Sequence, residues 1–195
     1  MVLPIYGYGE SVLRKKAQQI TKDYPELETL IANMYQTMYN AQGVGLAAPQ
    51  VGLPIRLFIV DTVPFSESDD LSKEEKDQLK KLKKTFINAT IVQESGDRWI
   101  FNEGCLSIPD VREDVARLDQ ITIEYYDESF NFHKETYSGI AARVIQHEYD
   151  HIEGILFVDK ISTLRKKMIS KKLKHIMEGK IRAPYKMKLS KIKIK

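Results

Sequence analysis

A chain of 195 residues, 43% hydrophobic and 29% charged, has the make-up of a soluble globular protein and room for one ordinary domain, with two cramped. Its one cysteine, Cys105, excludes an internal disulfide framework. The net charge of +3 conceals an asymmetry, because residues 165–195 hold thirteen of the 30 Lys/Arg and one of the 27 acids; an acidic body carries a basic tail.

In chain order, MVLPIYGYGE has no basic start followed by an apolar run, so no secretory signal is expected. With a lone thiol, that points to the reducing cytoplasm. PELETLIANMYQTMYNAQ (25–42) sets Leu27, Leu30, Ile31, Met34, Met38 and Ala41 on one side at helical spacing, and Gly43 suits the stop. This predicts an N-terminal amphipathic helix. GVGLAAPQVGLPIRLFIV (43–60) is the most apolar stretch, but two Pro, Gln50 and Arg56 break it, so no membrane span is expected. Within it, Gly43 and Gly45 at alternate positions and then two Ala keep side chains clear of something close to the backbone. No Gly-Lys-Ser/Thr follows, so it is not a phosphate loop. Gln50 is its one polar side chain, an amide able to donate to a developing oxyanion; the plain alternative is a small-residue helix start packed on a core.

IRLFIVD (55–61), FINATIVQ (86–93), QITIEYYD (120–127) and NFHKETY (131–137) read as strands, the last two as an antiparallel hairpin. The charged run between the first two (66–84), with only three Leu, reads as a solvated surface insertion without chemistry of its own. SGIAARVIQHEYDHIEG (138–154) opens on Ser138, a good N-cap, and closes on Gly154, a good C′ residue. STLRKKMISKKLKHIMEG (162–179) repeats that grammar as a basic C-terminal helix, with Leu164, Met168 and Ile176 on its apolar side. The expected class is α+β: antiparallel sheets around the 138–154 helix, in a single domain over 1–195.

HEYDH (147–151) carries the chemistry. His147 and His151, four apart, lie one above the other on a helix face, where both imidazoles reach a single ion. Glu148 sits beside that face, able to serve a water without being a ligand. Four and eight residues before Glu148, Val144 and Ile140 add an apolar wall. Chance occurrence of the pattern is disfavoured because IAARVI packs the preceding turn inward. Burying two His and a Glu to no purpose leaves several hydrogen bonds unmet. His133 and His175 are expected in solvent and are assigned nothing.

Hydrolytic sites hold their metal by three protein ligands and leave one place open. HEYDHIEGILF has Phe157 where a metzincin has its third His; Glu153 points elsewhere and Asp159 lies past the helix end. The remaining donor is Cys105 in NEGCLSIPD (102–110), after Gly104, which lets chain approach closely. Spacing alone leaves Cys105 as a third ligand, a buried structural cysteine or a nucleophile beside His147.

GVGLAAPQ, EGCLS and HEYDH, in this order and at about this separation, resemble the three signature motifs of the peptide deformylases. The likeness covers roughly residues 1–165 and thins over 66–84 and the basic tail. It implies an α+β fold with the H-E-x-x-H helix at the centre and a divalent ion held by Cys105, His147 and His151. Fe(II) is the ion expected in the cell, with Zn(II), Ni(II) or Co(II) also able to serve. The substrate implied is the N-formylmethionyl end of a nascent peptide, with Glu148 moving the proton and the Gln50 side chain and Leu106 N–H holding the oxyanion. Val44, Ile140 and Val144 are the candidates for a methionine pocket; Gly43, Gly45 and the 104–106 backbone are placed to pair with an extended peptide. Arg143 departs from the apolar residue usual there and predicts a more polar rim or a differently shaped mouth, and Glu103 and Arg117 are expected to form a supporting ion pair.

For the basic 165–195 segment the plain reading is a solvated helix with a loose end, and the functional one is docking on ribosomal RNA. Two rivals predict other things. An ordinary metallopeptidase needs a third ligand beyond His151 and is indifferent to Cys105→Ser; an RNA-binding protein with a structural metal has no open site and no need of Glu148.

Overall fold

Which face each strand buries decides how the sheet is layered. The computed structural model describes residues 1–67 and 71–189; positions 68–70 of the 66–84 run and 190–195 of the tail lie outside them. The elements are β1 (Ile5–Tyr6), α1 (Leu27–Asn40), β2 (Gly45–Ala47), β3 (Leu57–Asp61), α2 (Lys73–Leu79), β4 (Lys83–Cys105), β5 (Ile108–Tyr126), β6 (Phe132–Ser138), α3 (Gly139–Ile152), α4 (Thr163–Met177) and β7 (Met187–Lys188). β2-β3-β4-β5-β6 form one sheet in that order, antiparallel throughout. β1 and β7 pair in parallel as a separate ribbon. The mixture of helices with an antiparallel sheet is the α+β class expected. Among the described residues no helix is long and apolar enough to cross a membrane.

β3 is apolar at nearly every position because both its faces are covered. Leu57 and Ile59 point into the cluster beneath α1, with Ile31, Met34 and Met38. Phe58 and Val60 point the other way, into the cluster around α3, with Phe86, Ile121 and Ile145. α1 is the amphipathic helix expected, but its stop falls one residue early. Gln42 takes the left-handed turn at φ 55, and Gly43 N–H donates to Met38 O at 2.9 Å.

Three expectations need correction. The strands 86–93 and 120–127 are only parts of β4 and β5, a hairpin of 23 and 19 residues that reaches Cys105 and turns back over Leu106–Ser107. Next, the 66–84 run is not merely solvated: Ser72 caps α2, while Leu79 and Leu82 are buried in the α3-side core with Leu71 packed against it. Last, the apolar side of α4 is Ile169, Leu173 and Ile176, packed on the hairpin with Ile108, Val111 and Val115; Leu164 and Met168 are 70% and 65% exposed. Ser138 does occupy the N-cap of α3, but its hydroxyl caps nothing, whereas Ser162 accepts from Arg165 N–H at 3.3 Å. His133 is likewise not simply solvated, since it pairs with Asp127 at 2.9 Å and stacks on Tyr125.

Candidate metal centre and active site

α3 crosses beneath the end of the long hairpin, and this crossing assembles the site. The helix brings His147 and His151 to one face with rings 5.2 Å apart. The hairpin turn brings Cys105, whose Sγ lies 3.3 Å from His151 Nε2. One ligand atom from each of these three residues falls within 4.8 Å of the others. A thiolate and two imidazoles at that spacing are a donor set for a divalent transition metal. Their supports fit the same purpose. Glu103 Oε2 accepts from His147 Nδ1 at 2.9 Å, which leaves Nε2 for the centre of the site. Among the described residues no third donor comes from beyond His151: Glu153 binds Arg56 and Lys16, and Asp159 binds Arg14 and Lys166.

Glu103 is the hub of a buried network larger than the single ion pair expected. Arg117 donates to both its oxygens, at 2.7 and 2.9 Å, and on to Asp150 at 2.6 Å. Arg143 adds a third donor at 2.9 Å. Burial works to raise the Glu103 pKa, but Arg117 and His147 outweigh it and hold the carboxyl well below its usual range. Burial also works to lower the His147 pKa, and its contacts with Cys105 and Glu103 reverse that. Among the described residues His151 Nδ1 has no hydrogen-bond partner, and burial moves the pKa of this ring down.

Glu148 is 4% exposed, and its Oε2 has no hydrogen-bond partner among the described residues. Burial pushes its pKa up to about 7. That is the range in which a carboxylate exchanges protons readily at neutral pH. Gly45 faces it so closely that a Cβ there would collide with Oε1. The glycine of β2 is therefore the clearance for the Glu148 carboxylate.

The orientation of the Gln50 amide follows from its neighbours. Ala47 N–H can only donate, and it donates to Gln50 Oε1 at 2.8 Å, so the NH₂ end faces inward. That end lies 3.5 Å from Cys105 Sγ and 3.2 Å from Ser107 Oγ. A cavity of about 610 Å³ opens beside these groups. Of the residues anticipated for a substrate pocket, Gly43, Val44, Gly45, Gly104, Arg143 and Val144 line it, as does Leu106. Ile140 does not; it packs against the α3-side core one turn away. The polar rim expected from Arg143 is also absent. Its side chain is 2% exposed, with Nη1 donating to Glu103 and Val115 O and Nη2 to Trp99 O beneath the Trp99 ring. Phe65, Phe101 and Tyr185 on the same wall carried no spacing signal, since each comes from an element remote in sequence.

Residues 2–167 match the family model described as polypeptide deformylase. The chain belongs to the peptide deformylase family. The peptide deformylase of Flavobacterium psychrophilum is 69% identical over 189 residues, covering 97% of each chain. A peptide deformylase crystal structure from Legionella pneumophila superposes with a TM-score of 0.77 at 36% identity, covering 93% of this chain and 99% of that one. One from Plasmodium falciparum gives 0.77 at 31% identity, covering 90% and 95%. The deformylase fold accounts for the sheet, the hairpin and the central helix together.

Proposed function

We propose that this chain removes the formyl group from the N-terminal formylmethionine of newly made polypeptides, releasing formate, as one catalytic domain over 1–195. The observation that carries the reading is the convergence of Cys105, His147 and His151 on one point beside a buried carboxylate and an inward-facing amide. Cys105, His147 and His151 would hold a divalent ion, Fe(II) in the cell with Zn(II), Ni(II) or Co(II) able to replace it. Such an ion supplies Lewis-acid polarisation and lowers the pKa of a water to about 7.

This chain's own residues do the remaining work. Glu148 takes the proton of the attacking water and returns it to the nitrogen of the leaving amine. Gln50 Nε2 and the Leu106 N–H donate to the oxygen on which charge develops, and loss of one such donor costs about 10²–10³ in kcat. Gly43, Val44, Gly45 and Gly104 offer backbone to an extended peptide, which admits many sequences after the methionine. Val44 and Val144 wall the methionine side chain, with Phe65 and Phe101 in place of Ile140. Such an enzyme works in the cytoplasm, where formylated chains are made.

The exposed side of α4 supports a ribosomal partner. Lys167 and Lys171 stand one turn apart beside exposed Leu164 and Met168, and neither lysine makes an ion pair among the described residues. That face fits the phosphates of ribosomal RNA near the point where formylated chains emerge.

The test is formate release from formyl-Met-Ala by anaerobically purified chain, with its metal content measured alongside. The native chain turns the substrate over; Cys105→Ser loses the metal and Glu148→Ala keeps it, and both lose activity. A metal-loaded native chain that releases no formate, or a Glu148→Ala variant that does so at the native rate, would end this reading.

A further inference from the structure

Beyond α4 the chain returns to the mouth of the site as a strap. β7 pairs in parallel with β1, Ile5 to Met187 and Tyr6 to Lys188. Ile5 N–H donates to Lys186 O at 2.8 Å and Gly7 N–H to Lys188 O at 3.0 Å. The Lys188 ammonium caps the Tyr6 hydroxyl at 3.0 Å and lies over its ring. This strap lies outside residues 2–167, the part matched by the family model.

Pinned in this way, the strap lays Pro184 and half-buried Tyr185 on the wall of the cavity. The Tyr185 hydroxyl donates to Leu106 O at 2.8 Å. The next carbonyl, Ser107 O, accepts from Tyr8 N–H at 2.8 Å. Leu106 and Ser107 form the two-residue turn between paired Cys105 and Ile108. Both carbonyls of the turn are thus gripped from outside the sheet, one by the strap and one by the segment to which the strap is zipped.

We propose that Tyr185 is a positioning residue, acting through the Leu106 carbonyl to hold the hairpin turn in the orientation that aims the Leu106 N–H at the reacting carbonyl. The inference rests on the reading of that N–H as an oxyanion donor. Its physical basis is the freedom of a short turn. A peptide plane in such a turn has more than one accessible setting, and one hydrogen bond biases the choice by about 3- to 10-fold. Fixing the plane after Leu106 fixes the ψ angle of that residue. Cys105 on one side and the Tyr8–Ser107 contact on the other then leave the Leu106 N–H little room to swing. The ring of Tyr185, packed on the α1-side core, holds the hydroxyl in place.

The test uses the full-length, Ni(II)-loaded enzyme and Tyr185→Phe, which keeps the ring and removes only the hydroxyl. The expected result is a fall in kcat on formyl-Met-Ala of about 3- to 10-fold, less than outright loss of an oxyanion donor, with KM changed less than about twofold. The sulfur-to-metal absorption of the Co(II)-loaded variant stays native, because Cys105 keeps its place. Hydrogen exchange of the 105–108 amides becomes faster in Tyr185→Phe while α1 and α3 exchange as before. A native kcat, a rise in KM alone, a shifted cobalt spectrum or unchanged exchange at the turn would each overturn the proposal. If the native chain itself releases no formate, the oxyanion reading fails first, and the exchange experiment still judges whether Tyr185 holds the turn.

Discussion

Glu148 shows how a single buried group couples the proton transfer proposed for it to stability. An isolated carboxyl titrates near 4.5, and burial moves this one to about 7. Between those values the unfolded chain gives up a proton that the folded one keeps, so stability falls as pH rises through the window, by about 3 kcal/mol. The metal-free Glu148→Gln protein is therefore expected to melt above the native one at pH 8 and level with it near pH 4.5. Melting curves of chelator-treated protein at the two pH values check this, and an equal gap at both would refute the burial argument. The grouping of His147 and His151, with Glu148 beside them, was legible in the sequence because helical spacing alone puts the two imidazoles on one face. The inward pairing of Arg143 with Glu103 was not. An arginine on a helix next to a pocket reads as a polar rim, and nothing in its spacing reveals that Glu103, forty positions earlier, draws it inward at 2.9 Å.

Among the elements, β2 and α2 show opposite limits of pattern reading. β2 is only three residues, Gly45, Leu46 and Ala47, and what matters about Gly45 is the side chain it lacks. Gly45→Ala leaves every backbone pairing intact but drives a methyl into the Glu148 carboxylate. The far end of that side chain can shift, so the melting temperature is expected to hold while kcat falls by about 10², the penalty for a misplacement of about 1 Å. Steady-state kinetics beside a melt would show it, and a kcat within twofold of native would mean the carboxylate has slack. α2 looks dispensable because five of its seven residues are charged, yet Leu79 at its end and Leu82 just beyond it reach the core. Leu82→Ala is expected to destabilise the fold by about 2–5 kcal/mol, whereas Lys76→Ala stays within about 0.5 kcal/mol. Denaturant titration decides, and a harmless Leu82→Ala would restore the view of 66–84 as a mere insertion. The outer half of the long hairpin escaped detection for a related reason. Its inward positions include Glu103, Glu113 and Arg117, so the alternation that marks a strand is written in paired charges as well as apolar residues.

For the whole molecule, the charge asymmetry was visible in composition, but its placement was not. α4 spends part of its charge internally: Arg165 holds buried Glu113 at 2.7 Å and Lys166 holds Asp159 at 2.9 Å. These contacts, with Ile169, Leu173 and Ile176, fasten the helix to the hairpin and turn Lys167 and Lys171 outward. A sequence count treats all thirteen cations alike, whereas among the described residues the fold separates Arg165 and Lys166, which hold the helix down, from Lys167 and Lys171, which face outward. The division makes a prediction that a plain count does not. Lys167→Glu with Lys171→Glu is expected to leave the melting temperature and formate release unchanged while weakening ribosome binding. The slope of log affinity against log salt should also flatten by about 1–2, since each phosphate contact contributes roughly 0.7–0.9. Arg165→Glu, by contrast, sets two carboxylates against each other at the buried Glu113 and lowers stability. Sedimentation with ribosomes across a salt series, run beside melts of all three proteins, separates the two groups. Native-like binding by the Lys167/Lys171 variant at every salt concentration would remove α4 from the docking surface.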